Sequence, residues 1–558
     1  QNFTTATETY NIAVGYSAGG AVTTGVQNVI MGGLAGDALT TGANNVAIGF
    51  EALSTEDGHG DNVAIGYRAL KALNVGSDGF NTAVGYLAGT NMTTGLENAV
   101  YGSFAGDALT DADYNVALGG SALSTDTLGS QSTAVGFGAL GSQNFSTATN
   151  TLNTSVGYLA GNDITTGVQN TIVGGQAGDA LTQGARNTAV GVAALTADTL
   201  GQYSTAIGYG ALSVQNQTTA VNTYNVAVGY LAGENVSTGI FNTLIGGLAG
   251  DALTTGDSNV VLGYGALTVD TKGARSVAIG REALAAQNFT TSTNAFNVAV
   301  GDRAGQAVTT GVQNILIGAL AGDSLTDADY NVAIGDQALT SDTLGNRSVA
   351  IGQAALFAQN FTTATSAYNV AIGYAAGGAV TSGIHNVLIG GLTGDAITEG
   401  ARNTAVGTFA LTADTQGSRN TAMGYSALGT QNFTTATESY NVAVGYEAGG
   451  AVTTGQNNTL IGALAGDAMT ASNDNVAVGT AALTTNTLSS ENVAIGRSAL
   501  QELNHTTATN GFNTAVGSDA GKSVTTGVFN TLIGGLAGDA LTDADHNVAV
   551  GEDALAQD

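Results

Sequence analysis

Three sets of residues in this chain could do chemistry by type and spacing: four histidines, a recurring aspartate, and a recurring Asn-x-Thr/Ser triplet. The histidines, His59, His385, His505 and His546, share no spacing, and no cysteine accompanies them. A triad or metal centre needs different side chains converging on one point, whereas a repeat delivers the same side chain along a line. No catalytic residue, no metal ligand set and no cofactor site is expected, and the chain reads as non-enzymatic. Asp37, Asp107, Asp179, Asp251, Asp323, Asp395, Asp467 and Asp539 each follow a glycine. Calcium is the sharpest chemistry they suggest, helped by the pair Asp111 and Asp113. Equivalents lie four repeat units apart, about 19 Å at the usual strand spacing, too far to share an ion. Turn capping by the aspartate side chain is the reading adopted.

The triplets carry a different chemistry. Asn2, Asn144, Asn216, Asn288, Asn360, Asn432 and Asn504 each open an N-glycosylation pattern inside a Thr-rich stretch expected to bulge from the surface. They are the candidate glycosylation sites. Asn and Thr are also ordinary loop residues, and duplication of the surrounding unit would by itself repeat them.

What must position these groups is a repeat. The phrase Asn225-Val-Ala-Val-Gly229 recurs as Asn45-Val-Ala-Ile-Gly49, Asn62-Val-Ala-Ile-Gly66 and Asn475-Val-Ala-Val-Gly479, with 31 starts between residues 11 and 547. Most starts lie 17 residues apart, and every fourth interval is longer, usually 21, so four units form a 72-residue cassette. Position 5 is Gly in all 31 units, position 4 is always large and apolar, and position 1 is Asn in 27 and Ser in four. A short β-branched run ending at a Gly reads as a strand and a corner. One unit per coil stacks identical residues, so the expected fold is an all-β parallel β-solenoid of about 31 rungs. At the usual strand spacing these would reach roughly 150 Å. Val228, Ile245, Leu262 and Ile279 are expected to form its buried column, Gly229, Gly246, Gly263 and Gly280 its corners, and the Asn residues a side-chain ladder. A helix is excluded, since Gly at a fixed position in every unit costs a helix about 1 kcal/mol each.

Composition narrows the classes. Forty-two acidic against 12 basic residues, a formal net charge of −30, leave no electropositive surface for nucleic acid. No apolar run approaches the ~18 residues of a membrane helix, so no transmembrane segment is expected. With 43% hydrophobic residues the chain is too apolar for disorder, and 83 Gly without Pro or a three-residue period is not collagen.

The phrase Asn-Val-Ala-Ile-Gly-x-x-Ala resembles the head repeats of trimeric autotransporter adhesins. Thr23-Thr24-Gly25-Val26-Gln27-Asn28 and Thr254-Thr255-Gly256-Asp257-Ser258-Asn259 resemble repeats of phage tail-fibre-like and bacterial surface proteins. The resemblance covers essentially the whole chain. It implies a β-roll, with a trimer among the assemblies, and a place at a cell or virion surface.

Function follows as an expectation. Residues 1–558 read as a single continuous solenoid that begins and ends inside a rung without cap or anchor, which favours a fibre or stalk that continues or stacks end to end. The expected partner is a further copy of the chain, end to end or side by side, in an extracellular setting. The alternative is an adhesin head or tail fibre binding host-surface glycans.

Overall fold

The computed structural model describes residues 1–557 and is an all-β, parallel β-solenoid. Among the described residues no helix is long and apolar enough to cross a membrane. The chain divides into two compact units, Gln1–Ser276 with Asn288–Thr293, and Val277–Gln287 with the chain from Asn294 onward. Both are built alike. In the first, Ile12–Val14 lies parallel to Val29–Met31, and the ladder runs on to Val226–Val228, Thr243–Ile245 and Val260–Leu262. In the second, Val298–Val300 pairs with Ile315–Ile317, and the last pair is Thr531–Ile533 with Val548–Val550. The register puts each residue on its equivalent one repeat away, such as Val228 on Ile245 and Ile245 on Leu262.

Only three residues per rung form this strand, because the Gly at position 5 ends it. Gly229, Gly246, Gly263 and Gly280 have φ of 143°, 131°, 142° and 132°. A Cβ on Gly229 would lie 2.5 Å from the carbonyl oxygen of Gly246. Each corner therefore rests on the backbone of the next, which no larger residue permits.

The core is inverted relative to the sequence expectation. Val228, Ile245 and Ile279 are half-exposed and Leu262 is 44% exposed, whereas Ala227, Leu244, Val261 and Ala278, one residue earlier, are fully buried. Alternation along a strand separates two faces without saying which turns inward. The narrow rung interior decides it. A Cβ on Gly233 would already meet Leu244 at 2.6 Å, Leu212 at 3.1 Å and Val236 at 3.3 Å. Position 3 is therefore usually Ala, and the larger position 4 stays outside. The same limit explains position 9, which is Gly in the first two rungs of a cassette and a buried Leu in the other two, such as Leu212 and Leu267.

Position 1 joins the rungs. The Asn242 N–H donates to Asn225 Oδ1 at 2.9 Å, and Asn242 Nδ2 donates to the Gly256 carbonyl at 2.8 Å. Asn259 repeats both contacts with Asn242 and Gly273. Both ends of these buried amides are thereby satisfied.

Candidate functional site

The long fourth rung is where chemistry-bearing groups concentrate, and a buried carboxylate positions it. Asp198 is fully buried. Its Oδ1 accepts the N–H groups of Gly201 and Gln217, each at 3.1 Å, and its Oδ2 accepts Gln215 Nε2 at 2.6 Å. Gln215 Nε2 also donates to Ser204 Oγ at 2.7 Å, while its Oε1 accepts Asn225 Nδ2 at 2.8 Å. Ser204 and Thr223 share a 2.6 Å hydrogen bond that closes the network. Asp342 with Gln359, and Asp414 with Gln431, repeat the carboxylate contact at 2.6 Å. Burial pushes the Asp198, Asp342 and Asp414 carboxyls above the usual range, opposed by hydrogen bonds from glutamine and backbone donors.

Two cassettes depart from this pair, and both partners change together. Asn486 replaces the aspartate and bonds Ser489 N at 2.9 Å and Ser489 O at 2.8 Å, opposite a buried Leu503. Glu56 replaces it in the first cassette, accepting His59 N at 3.1 Å and Val75 N at 3.2 Å, opposite a buried Leu73. Burial also raises the Glu56 carboxyl. Sequence reasoning missed this network because Asp in a repeat resembles a turn residue. The shared variation of Asp with Gln was the signal that could have found it.

Above the network lie the triplets. Phe145, Phe289, Phe361 and Phe433, the middle residues, plug the loop at 5–7% exposure. Asn2, Asn144, Asn216, Asn360, Asn432 and Asn504 are exposed and Asn288 is half-exposed. Six of these side chains also take a hydrogen bond from the preceding rung, as when Thr199 Oγ1 donates to Asn216 Oδ1 at 3.1 Å and Thr343 Oγ1 to Asn360 at 3.0 Å. The Asn therefore has a structural partner of its own. Gln217 replaces Phe in one loop, and its buried Nε2 lacks a hydrogen-bond partner.

The recurring aspartates clip adjacent rungs. Asp251 Oδ1 accepts Thr268 Oγ1 at 2.5 Å, and Asp179, Asp323, Asp395 and Asp467 accept the equivalent threonines. Where Ser54 or Ser124 faces Asp37 or Asp107, the buried Oδ1 has no such donor. Asp113 Oδ1 accepts Leu96 N at 2.8 Å, and Asp111 Oδ1 accepts Thr94 Oγ1 at 2.5 Å. These carboxylates serve the rung below them.

Among the described residues one His/acid group has ligand-forming atoms within 4.8 Å of one another: Glu56, Asp57 and His59. The sequence reading did not single it out. Its one buried carboxylate, Glu56, is already held by two backbone N–H groups.

The outward strand face is uniform in residue type. Positions 2 and 4 carry no charged residue in any of the 31 rungs. Aromatic columns flank them. Phe50, Tyr67 and Tyr86 stack at 5.7 and 5.2 Å, and Tyr203, Tyr224 and Phe241 at 5.0 and 5.9 Å. Arg186 lies 5.3 Å over Tyr203. No protein family model matches the chain, and no curated protein sequence matches it.

Proposed function

We propose that the chain is a structural, non-enzymatic element of an extracellular fibre or stalk, in which copies pack side by side through the outward position-4 column. The observation that carries this reading is the column itself. A chain of net charge −30 keeps 31 large apolar side chains, Val228, Ile245 and Leu262 among them, on an outward strand face. Water-facing positions have no need of aliphatic side chains, and an extended apolar face marks a contact surface. The interior rings of the columns, Tyr67 and Tyr224, have both faces covered by stacked neighbours, which leaves their edges rather than their faces for sugar stacking. Assembly therefore ranks ahead of glycan recognition. Few Lys or Arg and stability summed over stacked rungs fit a role of reach and endurance.

Sedimentation of the full chain tests this. The wild type is expected to run as an oligomer, and a Val228→Glu/Ile245→Glu/Leu262→Glu variant to lose mass per particle while keeping its β-sheet circular dichroism. A wild type that stays monomeric at every concentration overturns it.

A further inference from the structure

Four tyrosine pairs stand one rung apart with their rings stacked: Tyr67 on Tyr86 at 5.2 Å, Tyr203 on Tyr224 at 5.0 Å, and Tyr209 on Tyr230 and Tyr425 on Tyr446, both at 5.6 Å. Their interplanar angles run from 9° to 19°. Register fixes each pair, because the two residues occupy the same position of consecutive rungs, so each phenol has a second phenol as a permanent neighbour. Seven of the eight rings are exposed, Tyr209 at 55% and Tyr230 at 57% among them, and Tyr203 is half-buried with Arg186 over its ring.

From this geometry we infer that the four pairs are sites of oxidative tyrosine coupling, which would staple adjacent rungs covalently in a chain that has no cysteine. The co-reactant is hydrogen peroxide acting through a haem peroxidase. Each tyrosine of a pair gives one electron and its phenolic proton to the oxidant, leaving two phenoxyl radicals. Their ring carbons ortho to oxygen join in a carbon–carbon bond. Both ortho hydrogens then return to the oxygens as the rings regain aromaticity. One peroxide is reduced to two waters for each link. The fold contributes proximity: the second radical need not diffuse to the first.

The chain holds its own controls. Tyr264 and Tyr374 are each 59% exposed, as open as the paired residues. The rungs beside Tyr264 carry Gly247 and Arg281 at its position, and those beside Tyr374 carry Gln353 and Gly391. Exposure alone predicts that these two couple as readily as Tyr209 and Tyr230, whereas register predicts that they do not.

The experiment treats dilute full-length chain with peroxidase and hydrogen peroxide, then follows dityrosine fluorescence and maps linked fragments by mass spectrometry. Expected are the four intrachain links, at a yield unchanged by dilution, whether or not copies associate laterally. Tyr67→Phe is expected to remove its own link and leave the other three, since Phe50 already occupies the same position one rung earlier and stacks on Tyr67. Links to Tyr264 or Tyr374 at equal yield, a yield that falls on dilution, or oxidation without any dityrosine would each overturn the inference.

Discussion

Asp198 and Gln215 meet inside the solenoid, carboxylate Oδ2 to amide Nε2 at 2.6 Å, both fully buried and one rung apart. The contact ties the long rung, just before its Asn216 triplet, to the rung before it. The Asp side chain also caps the N–H groups of Gly201 and Gln217. A buried charge held by a neutral donor is a costly arrangement unless every lone pair is used.

Breaking half of the pair is therefore expected to cost more than replacing both members. Gln215→Leu alone leaves the carboxylate short of its side-chain donor and should cost about 2–3 kcal/mol. Asp198→Asn with Gln215→Leu recreates the pairing of Asn486 with Leu503 and should recover most of that loss. Urea denaturation of the two variants measures the coupling, and strictly additive costs would contradict it.

Gln217→Phe should stabilise the chain. It removes a buried amide nitrogen without a partner and installs the plug used at Phe145, Phe289, Phe361 and Phe433. A gain of about 1–3 kcal/mol is expected. A lower denaturation midpoint than wild type would show that the Gln217 loop cannot accept the ring.

Inside and outside can be separated at two adjacent residues. Leu244→Asp places a charge in the core and should melt its own and neighbouring rungs, at a cost above about 4 kcal/mol. Ile245→Asp changes an outward side chain and should cost about 1 kcal/mol. Hydrogen exchange across residues 226–262 distinguishes them, and equal loss of protection would contradict the assignment of faces.

Acid should strengthen the fold. Burial raises the carboxyls of Asp198, Asp342, Asp414 and Glu56. Between the ordinary carboxylate range and those raised values the folded chain holds protons that the unfolded chain has released. Stability accordingly falls as pH rises through that window and returns on acidification. Glu51, Asp302 and Glu438 are lowered by hydrogen bonds from Lys71, Arg281, and Tyr440 with Arg419 respectively. They act in the opposite sense, but on the surface, where such contacts are worth little. Denaturation midpoints should be higher near about pH 5 than about pH 8, and the reverse order would contradict this account.

The rung was legible in the sequence because Gly at position 5 and Asn at position 1 answer to backbone needs that the repeat states aloud. The φ near 140° at Gly229 and the amide bridge from Asn225 to Asn242 are local consequences of those residue types. The facing of the strand was not legible, because Val228 and Ala227 alternate in either orientation and size alone favours burying the valine. Only the cross-section, tight around Gly233, makes Ala the inward residue. The polar network escaped for a related reason. Asp198 and Gln215 are 17 residues apart and acquire meaning only once the rungs are stacked.

Cryo-EM of unfixed, purified chain shows whether the outward faces of two copies meet. Particles are expected in which copies lie side by side, with continuous density joining the faces that carry Val228, Ile245 and Leu262. Isolated single chains with that face open to solvent would contradict it.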